Sequence, residues 1–197
     1  RAYLQAVLDS ATGVSIIASD SAGTITLFNS GAERLLGYRA EEMVGHRTPA
    51  FIHLEEEVQA RARELSAATG QPVEGFEVFV YNARGGEPET RQWTYRHKDG
   101  SLRQVNLTVS AMFDENGQIT GFLGIASDIS ELLQTTRALQ KSESRFRGLV
   151  ANLPGVVYRC ANDAQRSMRY ISEEIANLCG YPASDFIGNR VRSFSSI

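Results

Sequence analysis

Cysteine is nearly absent from this chain of 197 residues. Only Cys160 and Cys179 are present, without a CxxC pair or flanking histidine ligands, so the sequence supports neither a disulfide framework nor a zinc site. They read as two free, buried-type thiols in a reducing compartment. Histidine is as scarce, with His46, His53 and His97 the whole supply. No apolar run approaches the roughly 20 residues of a membrane-spanning helix, and no leader pattern opens the chain, so direct membrane insertion is not expected. An excess of one charge is missing too. Twenty Lys and Arg face 23 Asp and Glu, a net charge of -3 with the signs interspersed. There is no basic stripe to neutralise a phosphate backbone, so nucleic acid is not an expected partner. Finally, the sequence has no Ser/His/Asp order, no compact carboxylate pair and no phosphate loop ending in Lys-Ser/Thr. An enzyme reading has no residues to stand on, and the expectation is a non-catalytic protein of the cytoplasm.

What is present is an ordinary globular composition, 42% hydrophobic and 22% charged. Leu4, Val7 and Leu8 share one face of a short opening helix that Gly13 ends. Val14–Ala18 and Thr24–Phe28 are β-prone runs joined by Asp20-Ser21-Ala22-Gly23, a hairpin. Ser30-Gly31-Ala32-Glu33 matches a capping box at a helix start, and Gly37 closes that helix. Asn29, just before it, is expected to hydrogen-bond the turn backbone. Arg39 to Gly45 reads as a second short helix. Leu54, Val58, Ala62 and Leu65 share a face of a longer one, which Glu55-Glu56-Glu57 opens and Gly70 with Pro72 ends.

From there the sequence reads as strands. Phe76–Tyr81 and Arg91–His97 are extended-type stretches around a loop with glycine and proline, and Asp99-Gly100 and Asn116-Gly117 mark tight turns. Val105, Leu107, Val109, Ala111 and Phe113 alternate with polar residues, the period of a sheet covered on one face. Phe122, Gly124 and Ala126 continue a small and apolar row in the last strand. These elements predict an α+β fold. It is a five-stranded antiparallel sheet with short helices packed on one face, flanked by N-terminal and C-terminal helices.

From Glu131 the spacing turns helical again. Leu132, Thr136, Leu139, Glu143, Phe146 and Val150 alternate steps of four and three, a short heptad seam able to pair with its own copy. Displacing the sequence by 143 residues lays Leu178, Gly180, Tyr181, Ala183, Gly188 and Arg190 on Leu35, Gly37, Tyr38, Ala40, Gly45 and Arg47. Phe146, Val150 and Val157 fall on Tyr3, Val7 and Val14. The organisation expected is a complete domain over 1–130, a helical linker over 131–145, and over 146–197 the N-terminal part of a second copy. Lacking most of its sheet, that copy is expected to be unable to bury its core alone.

Leu27-Phe28-Asn29, Ala32-Glu33-Arg34-Leu35-Leu36-Gly37-Tyr38 and Glu41-Glu42-Met43-Val44-Gly45 resemble the front half of a PAS domain. Arg96-His97-Lys98-Asp99-Gly100-Ser101, Gly121-Phe122-Leu123-Gly124-Ile125 and Asp128-Ile129-Ser130 are similar to its back half. The resemblance implies a sensory or dimerising module whose sheet cups a pocket. Downstream it implies an effector in the same chain, most often a histidine kinase or diguanylate cyclase of a bacterial signalling protein. It also makes Asp128 and Ser130 the junction that ties the last strand to the outgoing helix.

On this reading Leu107, Val109, Phe122, Gly124, Ala126 and Val58 are the candidate lining of a pocket for a small ligand. Leu4, Val7, Leu132 and Leu139 are the candidate helix surface of a homodimer. No cofactor is the leading expectation. The resemblance also raises haem, with His53 as the axial ligand to consider, and flavin, against which Trp93 and Tyr95 would stack. Those two aromatics read first as packing residues of a strand. Light-sensing relatives form an adduct through a cysteine in the middle helices, and the first module has no cysteine.

Overall fold

The computed structural model describes residue 8 and residues 10–193. Leu4 and Val7 therefore lie outside the described residues. The chain forms two compact units that divide between Leu133 and Gln134.

In the first unit, β1 (Ser15–Asp20) and β2 (Ile25–Phe28) form the expected hairpin. Its turn is held by the Asp20 carboxylate, which accepts from the Ala22 and Thr24 amides at 3.0 and 2.8 Å. Helix α1 (Ser30–Leu36) follows. Its cap is Asn29 and not Ser30: the Asn29 side-chain oxygen accepts from the Ala32 amide at 2.9 Å. Glu33, expected to close a capping box backwards, instead accepts from the Ala40 amide at 2.8 Å and so fixes the start of α2 (Ala40–Met43). Gly37 ends α1 with φ of 75°, and a Cβ there would lie 2.5 Å from the His97 ring, so this position requires glycine on two grounds.

After a 3-10 turn at Pro49–Ile52 come α3 (Glu55–Thr69) and α4 (Glu77–Arg84). The extended stretch expected at Phe76–Tyr81 is thus the start of a helix. Its β-prone composition hides a helical spacing in which Val78, Phe79, Val80 and Ala83 are all buried. Arg84 and Glu77 close the exposed side with two hydrogen bonds of 2.9 and 3.1 Å. Here tertiary burial overrides strand propensity.

The remaining strands are β3 (Glu89–Arg96), β4 (Leu102–Phe113) and β5 (Ile119–Asp128). The sheet order is β2-β1-β5-β4-β3, antiparallel throughout, as the α+β expectation required. On β4, Val105, Leu107 and Val109 are buried as predicted, and Ala111 packs half-buried against them. Phe113 is 55% exposed, contrary to the alternation. Phe113 is the last residue of β4, beside the Asp114–Gln118 turn, where the register against β5 slips because β5 carries one extra residue, Thr120. The helices close over the inner sheet face, with Ile25, Leu36, Met43, Ile52 and Val105 wholly buried.

Helix α5 (Ser130–Ala151) runs without interruption for 22 residues, about 33 Å at 1.5 Å per residue. In the second unit a hairpin of β6 (Tyr158–Cys160) and β7 (Met168–Ile171) leads into α6 (Ile175–Cys179). Met168, Ile171, Ile175, Ala183 and Phe186 form its small core. Leu178 and Val191 stay largely exposed, at 74% and 70%. Ser172 accepts from the Val157 amide through its hydroxyl at 3.0 Å and donates its own amide to Val157 O at 2.8 Å. Asn29 makes the same reciprocal pair with Ile16, at 2.8 and 3.1 Å. Ser172 lies 143 residues after Asn29, whereas Val157 lies 141 after Ile16. The geometry therefore matches Val157 to Ile16 and not to Val14, because the β6–β7 connection is longer than the β1–β2 turn.

Candidate functional site

The inner sheet face and the helices leave between them a partly open cavity of about 30 Å³. Four of the candidate pocket residues line it: Leu107, Val109, Phe122 and Gly124. Ala126 does not. It is buried one step further along β5, opposite Leu107. Val58 packs half-buried on α3 against the core and borders an open surface groove with Gln59, Ala62 and Glu74. The lining missed by pattern reading comes mostly from the segments between β2 and β3: Pro49, Ile52, His53, Phe76, Phe79 and Val80. The spacing of Phe76, Phe79 and Val80 was the available signal, legible once the segment is taken as helical.

His53 is the chemical centre of this cavity. It is 3% exposed, and its Nδ1 lies 2.7 Å from the Pro49 carbonyl oxygen. A carbonyl only accepts, so Nδ1 carries the proton, and in the neutral ring Nε2 is a bare acceptor. Burial strips water from the imidazolium and lowers the pKa to about 4, opposed in part by the bond to Pro49. Nε2 has no hydrogen-bond partner. The ring is held by Phe79, Trp93 and Tyr95, with centroids 4.4, 5.1 and 4.9 Å away. His53 also pairs through its backbone with Tyr95 at the edge of the sheet. Burial pushes the Tyr95 phenol above its ordinary range.

This packing bears on the haem and the flavin that the resemblance raised. Trp93 and Tyr95 are packing residues, 5% and 2% exposed. The His53 ring is walled by three aromatic rings beside a cavity of about 30 Å³. Ligand sites for molecules of cofactor size run to several hundred Å³. The residues present therefore do not fit a haem on His53 or a flavin ring beside Trp93.

A line of short hydrogen bonds runs from α3 through β3, at the residue next to the cavity-lining Tyr95, to the outgoing helix. The Glu57 carboxylate on α3 accepts from the Thr94 amide at 2.8 Å and from its hydroxyl at 2.6 Å. The Gln104 side-chain amide donates to the same hydroxyl at 2.8 Å. The Gln104 backbone then donates to the Ser130 hydroxyl at 2.9 Å and accepts from the Ile129 amide at 2.8 Å. Asp128 completes the line by accepting from the Ser130 amide at 2.8 Å. The structure thus brings Asp128 and Ser130 together at the start of α5. Thr94, next in sequence to Tyr95, is the element that sequence reasoning missed. It is buried because the free edge of β3 is covered by α3 and not by water.

Along α5, Leu132 and Leu139 are 66% and 68% exposed, and Phe146, seven residues further on, is half exposed. Among the described residues no helix is long and apolar enough to cross a membrane.

One sheet closed over short helices, with a single interior and a hydrogen-bonded exit into a long helix, defines the class of α+β modules to which this chain conforms. The model of the PAS fold matches residues 2–129, and the chain belongs to that family. The C4-dicarboxylate transport sensor protein DctS of Rhodobacter capsulatus is 28% identical over 183 residues, 89% of this chain and 25% of that protein. The methanogenesis regulatory histidine kinase FilI of Methanothrix harundinacea is 28% identical over 144 residues, 70% of this chain and 14% of its own length. The chain thus spans a quarter or less of the curated relatives it matches. Among solved structures, the PAS domain of a Colwellia psychrerythraea protein is 25% identical with a TM-score of 0.51, covering 66% of this chain and 97% of that one. An RNA-binding light-oxygen-voltage receptor shares the fold with a TM-score of 0.53 at 21% identity, over 73% of this chain and 37% of its own. By name, the curated relatives include a transport sensor protein, a two-component system protein, a regulatory histidine kinase and a transcriptional activator.

Proposed function

We propose that this chain is a sensory relay module of a larger signalling protein, transmitting through α5 to an effector in the same polypeptide. The hydrogen-bonded line Glu57–Thr94–Gln104–Ser130 carries this reading, since it joins α3 and the β3 residue adjacent to the cavity-lining Tyr95 to the helix that leaves the domain. A change in packing around His53 and Tyr95 moves the edge of β3. Thr94 and Gln104 pass that shift to Ser130, biasing α5 between two orientations. The relatives' names favour a histidine kinase as the effector, with a diguanylate cyclase the alternative. The module works without catalysis of its own. The strongest pKa displacements, at His53 and Tyr95, come from burial and not from a charged partner of the kind that poises an acid or base. Residues 146–197 are the front of a second such module, a reading supported by the Ser172–Val157 pair that repeats Asn29–Ile16.

The relay is tested by Thr94→Val, which keeps the shape and removes the hydroxyl shared by Glu57 and Gln104. Amide exchange in the first turn of α5 is expected to rise about tenfold, the equivalent of one net hydrogen bond of about 1.4 kcal/mol. An unchanged first turn in a protein with an intact sheet ends the relay reading.

Homodimerisation through α5 belongs to the same proposal, and the exposed Leu132, Leu139 and Phe146 at heptad spacing support it. Burying one leucine contributes about 1.5–3 kcal/mol. Both copies of a homodimer lose the contact, so Leu139→Glu is expected to weaken self-association by at least about 100-fold. Sedimentation velocity over a concentration series checks it, and a wild-type chain that stays monomeric throughout refutes the dimer.

A further inference from the structure

We infer that the cavity beside His53 is a binding site for one small neutral molecule carrying a single hydrogen-bond donor on a one- or two-carbon body, the class of short alcohols and thiols. Three observations carry it. First, His53 presents an unmet acceptor. Its Nδ1 proton is committed to Pro49 O at 2.7 Å, which leaves the lone pair on Nε2, and Nε2 is buried without a partner. Such an atom is stable only where something supplies a donor or where its desolvation is offset elsewhere.

Second, the space is small. A cavity of about 30 Å³ accommodates some two or three non-hydrogen atoms, since a single water requires about 10–15 Å³ by this measure. Third, the walls favour a donor with an apolar remainder over water. Ile17, Ile52, Phe79, Leu107 and Phe122 present carbon to the cavity. Of the lining residues that carry a polar side chain, Ser19, His53 and Tyr95, His53 is the one with a buried side-chain atom left without a partner among the described residues. An alcohol or thiol satisfies Nε2 with its one proton and sets its carbons against the aliphatic wall.

Occupancy has a route outward, because Tyr95 lines the cavity and adjoins Thr94. Binding itself does not depend on the relay; only its transmission to α5 rests on that reading.

The test titrates methanol into the 197-residue chain with nitrogen-15-labelled histidine, using ethane as a probe of equal size without a donor. The expected result is a saturable shift of the His53 Nε2 resonance with methanol, no comparable shift with ethane, and no saturable response at the exposed His46. Gly124→Ala then removes the space while leaving the imidazole in place. The added Cβ would sit 3.3 Å from Leu107 Cδ1 and 3.6 Å from Ile17 O, and the apparent affinity is expected to fall at least tenfold. A linear response shared with His46, an equal effect of ethane, or undiminished binding to Gly124→Ala overturns the site. Amide shifts in the first turn of α5 are read in the same titration. If Nε2 saturates and those amides stay fixed, the site stands and the relay falls.

Discussion

Asn29→Ala is expected to destabilise the first unit by about 4 kcal/mol, a large part of the 5–15 kcal/mol that holds an ordinary domain together. Asn29 is wholly buried. Its side-chain oxygen accepts from the Ile16 amide at 2.8 Å and from the Ala32 amide at 2.9 Å. Its side-chain amide donates to the carbonyls of Leu8, Ala11 and Val14 at 3.0, 3.3 and 3.2 Å. One residue thereby fastens the entering chain, the first strand and the first helix. Alanine supplies none of these bonds, and each orphaned buried group costs about 1–3 kcal/mol, with partial relief where water enters. The helix also loses its cap, worth about 1 kcal/mol. Asn29→Asp separates the two halves of the network, since a carboxylate keeps both acceptor bonds but turns an oxygen towards three carbonyl oxygens. It is expected to be at least as damaging as alanine at neutral pH. Urea unfolding followed by the fluorescence of Trp93, the only tryptophan, checks both variants. A loss below 1 kcal/mol for Asn29→Ala refutes the argument.

Acid is expected to weaken the first unit between pH 6.5 and 4, and His53 sets that window. The imidazole is neutral in the fold, with a pKa lowered to about 4, while the unfolded chain titrates at the ordinary 6.5. Over this range the unfolded state binds the proton and the folded state does not. Stability therefore falls as pH falls and is fully present only above 6.5. A displacement of this size corresponds to a loss of about 3 kcal/mol by pH 4. The perturbed carboxylates act lower. In the first unit Glu42 and Glu64 are depressed from 4.5. Asp99 falls to about 2, chiefly through hydrogen bonds from Ser101 with His97 adding to them. Their contributions are lost only below about pH 4.5. In urea midpoints measured from pH 7 to pH 4, His53→Phe is expected to flatten the slope even where the variant is less stable throughout. An identical slope in both proteins assigns the window to another group.

The way sequence and structure part company is instructive at three places. Ser30 and Glu33 have the right spacing for a capping box, yet Asn29 caps α1 and Glu33 caps α2. Several polar side chains near a helix start can each serve, and the one that is also reached by the neighbouring strand wins. Phe76–Tyr81 carries β-prone residues in a helix, because its apolar side chains are needed on one face over the cavity, at a spacing of three and four. Phe113 fits the alternation of β4 and is exposed, because it ends the strand beside the Asp114–Gln118 turn, where the pairing with β5 becomes irregular. The Thr94–Gln104 contact had no sequence signal at all. It depends on the register of β3 against β4 and on the approach of Glu57 from a helix 37 residues away.

The residues alone settled the composition class, the hairpin at the start, the glycine stops at Gly37 and Gly70 and the inner row of β4 from Val105 to Val109. Each of these is a local property, fixed by φ, by a period of two or by a side chain reaching its own backbone. Folding in three dimensions decided the size of the cavity, the neutral state of His53, the helical state of Glu77–Arg84 and the hydrogen-bonded line from Glu57 to Ser130. Those depend on how much water is excluded and on which distant groups meet. Both are sums over contacts between elements far apart in the chain, and no local window of sequence contains them.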